Sequence, residues 1–164
     1  MIQLEIPVKP HVKKFLHYKY GAMWTLSERD FLARQSIHLL TQEDKRMLAK
    51  KGLTESYTVY IGGHIISAHG KIFTYNIYKI NDLVDDYLRE LIFSTALMVK
   101  FMSGNSYKCT LQQLLDNFEI NEEDLKIDGI LKDFQRKKEQ FIFKKNIVFS
   151  ETRKPSKPTI IPMA

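Results

Sequence analysis

Cysteine is almost missing from this sequence: Cys109 is the only one. It has no partner for an internal bridge, which excludes a disulfide scaffold and points to a reducing compartment. Zinc sites built from paired cysteines are excluded with it. Long hydrophobic runs are also lacking. The longest apolar stretch, Leu91 to Met102, is broken by Ser94, Thr95 and Lys100. About a dozen residues cannot cross a bilayer, which takes roughly 20, so no membrane partner is expected. The opening Met1-Ile2-Gln3-Leu4-Glu5-Ile6 has an acid and no apolar core, so it is not expected to act as a secretory signal. Glycine is sparse. No Gly-rich phosphate loop and no Gly-x-Ser-x-Gly elbow occurs, which removes the commonest nucleotide-binding and esterase motifs.

What remains is an ordinary globular composition, 44% hydrophobic and 27% charged over 164 residues. The length suits one domain and buries about two thirds of the unfolded surface, so neither metal nor disulfide is needed to fold. The net charge of +6 is unevenly spread. Residues 1–21 carry +3, residues 22–125 carry −3 and residues 126–164 carry +6. Positive ends around a mildly acidic middle point to a polyanion partner. The blander reading is a solvated face and a disordered tail.

Periodicity divides the chain. Ile2, Leu4, Ile6 and Val8 alternate with Gln3 and Glu5, as in a half-buried strand, and Pro7 argues against a central strand beyond that point. Pro10 opens a helix through Val12, Phe15 and Leu16 that stops at Gly21. Ser27 reads as an N-cap for a second helix to about Leu40. Residues 42–52 read as a loop or short helix. Tyr57, Val59 and Ile61 alternate again, and His64-Ile65-Ile66 resumes after Gly62-Gly63, either as one strand with a glycine bulge or as a hairpin, giving strand character over about 56–73. Residues 76–103 carry apolar groups three or four apart (Ile80, Val84, Leu88, Ile92 and onward), the strongest helical signal in the chain. Thr110 is expected to cap a helix to Phe118, a short helix follows from Asn121, and Asp128 caps the next segment. Residues 150–164 hold three prolines and no periodicity, and read as an extended tail.

Catalytic constellations do not emerge. His64 and His69 lie five apart on the expected strand, so they face opposite sides and share no metal. Asp116 with Asp124-Leu125-Lys126 has the residue types of a metal-dependent nuclease, but that chemistry needs the second acid and the lysine on one strand. Asp82, Asp86 and Glu90 form a solvated acidic stripe along the long helix, where like charges repel. The chain is therefore expected to be no enzyme, with no cofactor and no metal.

The unit best suited to a function spans residues 110–143. It reads as helix, turn, short helix and basic helix, with Leu111, Leu114, Leu115, Phe118, Ile120, Leu125, Ile127, Ile130, Leu131 and Phe134 as a small core. Lys132 and Arg136 lie four apart opposite the apolar face. Lys126 and Lys137 flank them, Lys138 interrupts the apolar stripe, and Lys144 and Lys145 follow. A helix with a buried start and a basic projecting end is what groove or phosphate contact requires. Gly129 weakens that helix by about 1 kcal/mol relative to alanine.

Two segments carry a family resemblance: Ile-Pro-Val-Lys-Pro-His-Val-Lys-Lys-Phe-Leu-His-Tyr-Lys-Tyr-Gly (6–21) and Leu-Leu-Asp-Asn-Phe-Glu-Ile-Asn-Glu-Glu-Asp-Leu-Lys-Ile-Asp-Gly-Ile-Leu-Lys-Asp-Phe-Gln-Arg-Lys-Lys (114–138). Over residues 2–140 the chain resembles a family of small basic proteins encoded in phages and mobile elements of gut bacteria. The resemblance implies a mobile-element setting and no particular activity. Family members have an aromatic- and Arg-rich end to the last helix, and here Asp133-Phe134-Gln135-Arg136-Lys137-Lys138 is less aromatic.

The expectation is an α+β, mostly helical single domain over 1–149, with a small antiparallel sheet and a C-terminal helix-turn-helix-like unit. The expected function is non-enzymatic DNA binding through Lys126, Lys132, Arg136, Lys137, Lys138, Lys144 and Lys145, as an accessory or regulatory factor in the host cytoplasm. The alternative is a phage structural or assembly protein in the virion, forming a homo-oligomer or docking its 150–164 tail on a neighbour.

Overall fold

The computed structural model describes residues 1–43, 52–104 and 106–151, and of residues 140–151 the backbone alone. The expected loop or short helix at 42–52 falls largely outside the described residues, as does the tail beyond residue 151. Ser150 and Glu151, placed at the start of that tail, end a helix instead. Contacts divide the chain into two compact units, Met1–Ile127 and Asp128–Ala164.

The first unit begins with strand β1 (Ile2–Val8), helix α1 (Pro10–Tyr20), strand β2 (Met23–Leu26) and helix α2 (Phe31–Thr41). Strand β3 (Glu55–Ile61), helix α3 (Gly63–His69) and a 3-10 turn (Thr74–Asn76) follow, and then helices α4 (Ile77–Ser103) and α5 (Tyr107–Asn117). Helix α6 (Ile127–Glu151) belongs to the second unit from Asp128 on. The fold class is α+β and mostly helical.

The sheet has the order β1-β3-β2. β1 pairs antiparallel with β3, from Ile2 opposite Ile61 to Val8 opposite Glu55, so that their two alternations match. β2 runs parallel to β3, with Trp24 opposite Val59 and Leu26 opposite Ile61. The sheet is therefore mixed, which corrects the expectation of an antiparallel one. The intervening chain explains the difference. Parallel neighbours need a crossover of a dozen or more residues, and α2 with its flanking segments supplies one between β2 and β3. At four residues, β2 is too short to announce itself by alternation.

One face of the sheet is apolar and covered. Ile6, Val8, Trp24, Leu26, Tyr57, Val59 and Ile61 are all buried. α4 lies against β1, α2 against β2, and α1 against β2 and β3. The outward positions Gln3, Glu5, Thr58 and Tyr60 bond across the strands: Thr58 Oγ1 donates to Glu5 Oε1 (2.7 Å) and Tyr60 Oη to Gln3 Oε1 (3.2 Å).

The strand does not resume after Gly62-Gly63. Ile61 is the last residue of β3 with partners on both sides, Ile2 and Leu26. Beyond it the backbone has no neighbour to pair with and must satisfy itself. It does so as α3, with Gly62 O accepting from Ile65 N and Ile66 N. His64 and His69 therefore stand on a helix, not on a strand.

α4 matches the expected 76–103 span closely, and at 27 residues it is about 40 Å long. Its buried positions, Ile80, Asn81, Val84, Asp85, Leu88, Ile92 and Ala96, recur at helical spacing. Gly104, left-handed at φ 71°, ends it. The caps of α2 and α5 differ from expectation. Asp30, rather than Ser27, caps α2 by accepting from Leu32 N (3.2 Å), while Ser27 Oγ takes Arg29 N in the preceding turn. Ser106, rather than Thr110, caps α5 by accepting from Cys109 N (3.2 Å). Thr110 lies inside α5 and returns its hydroxyl to Ser106 O.

α5 closes in a Schellman motif: Ile120 N donates to Leu115 O (2.9 Å) and Glu119 N to Asp116 O (3.0 Å). Leu115 and Ile120, the pair that should touch across such a motif, are both buried. The short helix expected next is a single turn, in which Asp124 N and Leu125 N both donate to Asn121 O. Half of a capping box forms there, since Asp124 Oδ2 accepts from Asn121 N (2.9 Å). Asp128 lies in the first turn of α6 rather than capping it.

Candidate functional site

α6 carries most of the residues expected to form the site. It is one helix of 25 residues, longer than expected, and it passes without interruption through Phe141-Ile142-Phe143. Ile130 and Phe134, four apart, are buried. Lys132 and Arg136, also four apart, are exposed, as their spacing from the apolar residues requires. Arg136 Nη2 donates to Asp133 Oδ1 at 3.0 Å, an exposed pair of the kind that contributes little to stability. Lys137 and Lys138 are half-buried, and Lys126 is exposed in the turn before the helix. Lys144 and Lys145 lie on the α6 backbone, with side chains outside the described residues. The boundary between the two compact units falls at 127/128, inside the 110–143 segment expected to form a helix-turn-helix-like unit.

Within the first unit the structure assembles a charged cluster that no sequence motif signals. Asp85, on the buried side of α4, is its centre. Lys9 Nζ donates to Asp85 Oδ2 (2.8 Å), Arg89 Nε donates to Oδ1 (3.0 Å), and His11 Nε2 lies 3.2 Å from the same Oδ1. Burial by itself raises the Asp85 carboxyl's pKa. The hydrogen bonds from His11 and Lys9 and the charges of Arg89 and His11 outweigh it and hold the group well below the usual carboxylate range. An unpaired carboxylate there would cost several kcal/mol, on the order of what breaking a buried ion pair costs. Asn81, one turn earlier on α4, accepts the Lys9 backbone N–H (2.9 Å). Lys9 is the N-cap of α1, and no side-chain bond caps that helix.

The cluster extends to the turn before α6. His11 Nδ1 lies 3.1 Å from the Asp124 carbonyl oxygen, and Lys14 Nζ donates to Asp124 Oδ2 (2.6 Å). Burial pushes the Asp124 carboxyl up, but the bonds from Lys14 and the Asn121 backbone bring its net shift downward. Asp124 is therefore occupied by a lysine and a backbone amide. Asp116 lies on α5 and Asp124 in a turn, so this pair does not form the strand-borne acid and acid-x-Lys arrangement of a nuclease.

Sequence reading missed Asp85 because it counted only the apolar members of the α4 stripe. The signal was present in two places. Asn81 and Asp85 sit four apart in register with Leu88 and Ile92, and Arg89 follows Asp85 at the i+4 position that favours an ion pair. Of the expected acidic stripe, Asp86 and Glu90 are exposed and Asp82 is half-buried.

The hollows beside the cluster are open. One of about 360 Å³ is lined by Lys14, His17, Tyr18, Asn117, Phe118 and Glu119. Lys14, which lines it, is bonded to Asp124, and Lys13 on the same helix is bonded to Glu55 (2.9 Å). The positive charge of the N-terminal segment is thus largely neutralised in place and offers little to a phosphate backbone. Among the described residues, no three His, Cys, Asp or Glu side chains group as metal ligands, and no helix is long and apolar enough to cross a membrane. No family model matches the chain, and neither does any curated protein or solved structure.

Proposed function

We propose that the protein binds DNA without catalysing a reaction, through the basic face of α6. The observation that carries this reading is the exposed Lys132–Arg136 pair on a continuous helix whose Lys137, Lys138, Lys144 and Lys145 extend the positive charge. From Lys132 to Lys145 the helix holds six basic and two acidic residues over about 20 Å. That density suits phosphate contact along a duplex. A helix-turn-helix-like docking of α5 and α6, an accessory or regulatory role, a host-cytoplasm location and membership of the phage and mobile-element family belong to the same proposal. The test is a gel-shift titration of the full chain against duplex and single-stranded DNA at two salt concentrations. Salt-sensitive binding to duplex is expected, and no binding at low salt overturns the reading.

A second reading, a phage structural or assembly protein, is favoured by one observation. Met98, Phe101 and Met102 form an apolar strip on the last turns of α4, 60%, 83% and 81% exposed. Exposed strips of this kind mark interaction surfaces, and a neighbouring subunit would cover this one. Sedimentation of the parent and of Phe101→Asp separates the readings. Assembly predicts oligomers that the substitution disperses, and DNA binding alone predicts no change.

A further inference from the structure

His11 is buried at the start of α1, and both of its ring nitrogens face acceptors. Nδ1 lies 3.1 Å from the Asp124 carbonyl oxygen and Nε2 lies 3.2 Å from Asp85 Oδ1. A neutral imidazole has one N–H and one bare nitrogen, so either tautomer would set a lone pair against an oxygen. Only the imidazolium donates at both ends. We propose that His11 is a proton-operated latch: as imidazolium it ties the turn at residues 121–126 to α1 and α4, and on losing its proton it releases the Asp124 carbonyl.

The surrounding charges decide which contact breaks. Facing the ring or its partners are Lys9 from the β1–α1 junction, Asp85 and Arg89 from α4, Lys14 from α1 and Asp124 from the turn. Asp85 keeps Lys9 and Arg89 when the ring becomes neutral, so it remains a carboxylate and retains the Nε2 proton as its donor. The bare nitrogen is then Nδ1, which points at the Asp124 carbonyl. Of the ties from the turn to α1 and α4 described above, only the one from Lys14 to the Asp124 carboxylate remains. The released turn carries Lys126 and runs directly into α6 at Ile127. Among ordinary side chains, imidazole is the one whose charge changes between about pH 5 and 8. The device is independent of what α6 binds.

The test uses the full isotope-labelled chain at about pH 6 and about pH 8.5, on either side of the ordinary imidazole transition. Long-range proton–nitrogen NMR reads the protonation of each His11 nitrogen. Amide exchange, corrected for its intrinsic pH dependence, reads the protection of Asp124 and Leu125. Both nitrogens should carry protons at the lower pH, and Nδ1 alone should be bare at the higher. Protection of the two turn amides should fall about tenfold, the loss of one charge-assisted hydrogen bond, while Leu88 and Ile92 in α4 hold theirs. In His11→Gln the turn should be weakly protected at both pH values. A bare ring nitrogen at the lower pH overturns the latch. So does a ring that stays doubly protonated at the higher pH, or turn protection that ignores the change. If His11→Gln does not fold, the two measurements on the parent chain decide.

Discussion

Glu119 sits at φ 56°, the only non-glycine residue among those described with a positive φ. It occupies the left-handed position of the Schellman motif that ends α5, where glycine is the usual residue. A Cβ in the left-handed conformation costs about 1–2 kcal/mol. A carboxylate at a helix C-terminus adds a few tenths, about 0.3 kcal/mol or more, because it faces the negative end of the dipole. Glycine removes both costs but loses about 0.5–1 kcal/mol through the larger entropy of its unfolded chain. The side chain of Glu119 is exposed, so little packing is lost. Glu119→Gly should therefore stabilise the protein by about 0.5–1 kcal/mol, or roughly 1–4 °C in Tm for a chain of this size. Glu119→Ala is the control, since it removes the charge and keeps the Cβ. Urea unfolding should rank glycine above alanine. A glycine midpoint equal to or below that of alanine would refute the argument, because the left-handed strain would then not be what limits this turn.

Other outcomes follow from the same packing and charge relations. Leu88 is fully buried on α4, so Leu88→Ala should lower stability by about 2–5 kcal/mol in urea unfolding; a loss under about 1 kcal/mol would mean that α4 is not the core helix. At Gly129 an added Cβ meets nothing within 4 Å and φ is not positive, so Gly129→Ala should raise α6 helicity by circular dichroism and stabilise it by about 0.5–1 kcal/mol. Asp85 and Asp124 both titrate below the ordinary carboxylate value. Their stabilisation is complete above the unfolded value of roughly pH 4 and is lost as pH falls below it. Urea midpoints should fall below about pH 5, and Asp85→Asn should be weaker at neutral pH with a shallower acid limb. Equal midpoints for the parent at about pH 5 and pH 3 would contradict the cluster's role.

Elements whose partners lie within their own pattern were legible. α4 carries its apolar stripe over seven turns, and β1 and β3 share an alternation that matches residue for residue in the observed register. Elements decided by distant partners were not. β2 is four residues long and exists because β3 offers it an edge. Gly62-Gly63 reads as a bulge or a hairpin turn, and a helix opens there instead, at the point at which β1 and β2 both run out. Caps slipped by three residues in α2 and by four in α5, because each start holds two competent residues: Ser27 and Asp30, Ser106 and Thr110. At the candidate site, the exposed Lys132–Arg136 face was readable from helical spacing alone. The Asp85 cluster was not, since Lys9, His11 and Asp124 meet Asp85 only through tertiary packing. Its cations also showed that N-terminal charge, counted along the chain, overstates what the surface presents.

The claim that α6 binds DNA is tested most directly by the salt dependence of binding, with the parent compared to a Lys132→Ala, Arg136→Ala double variant. If the six basic residues of α6 contact four to six phosphates, the log–log slope of the parent on duplex DNA should be roughly −4 to −5. The double variant should bind more weakly to every sequence and lose about 2 units of slope. Its folding should be unchanged, because both side chains are exposed. A parent that fails to bind at low salt, or a double variant with the parent's affinity and slope, would contradict the account.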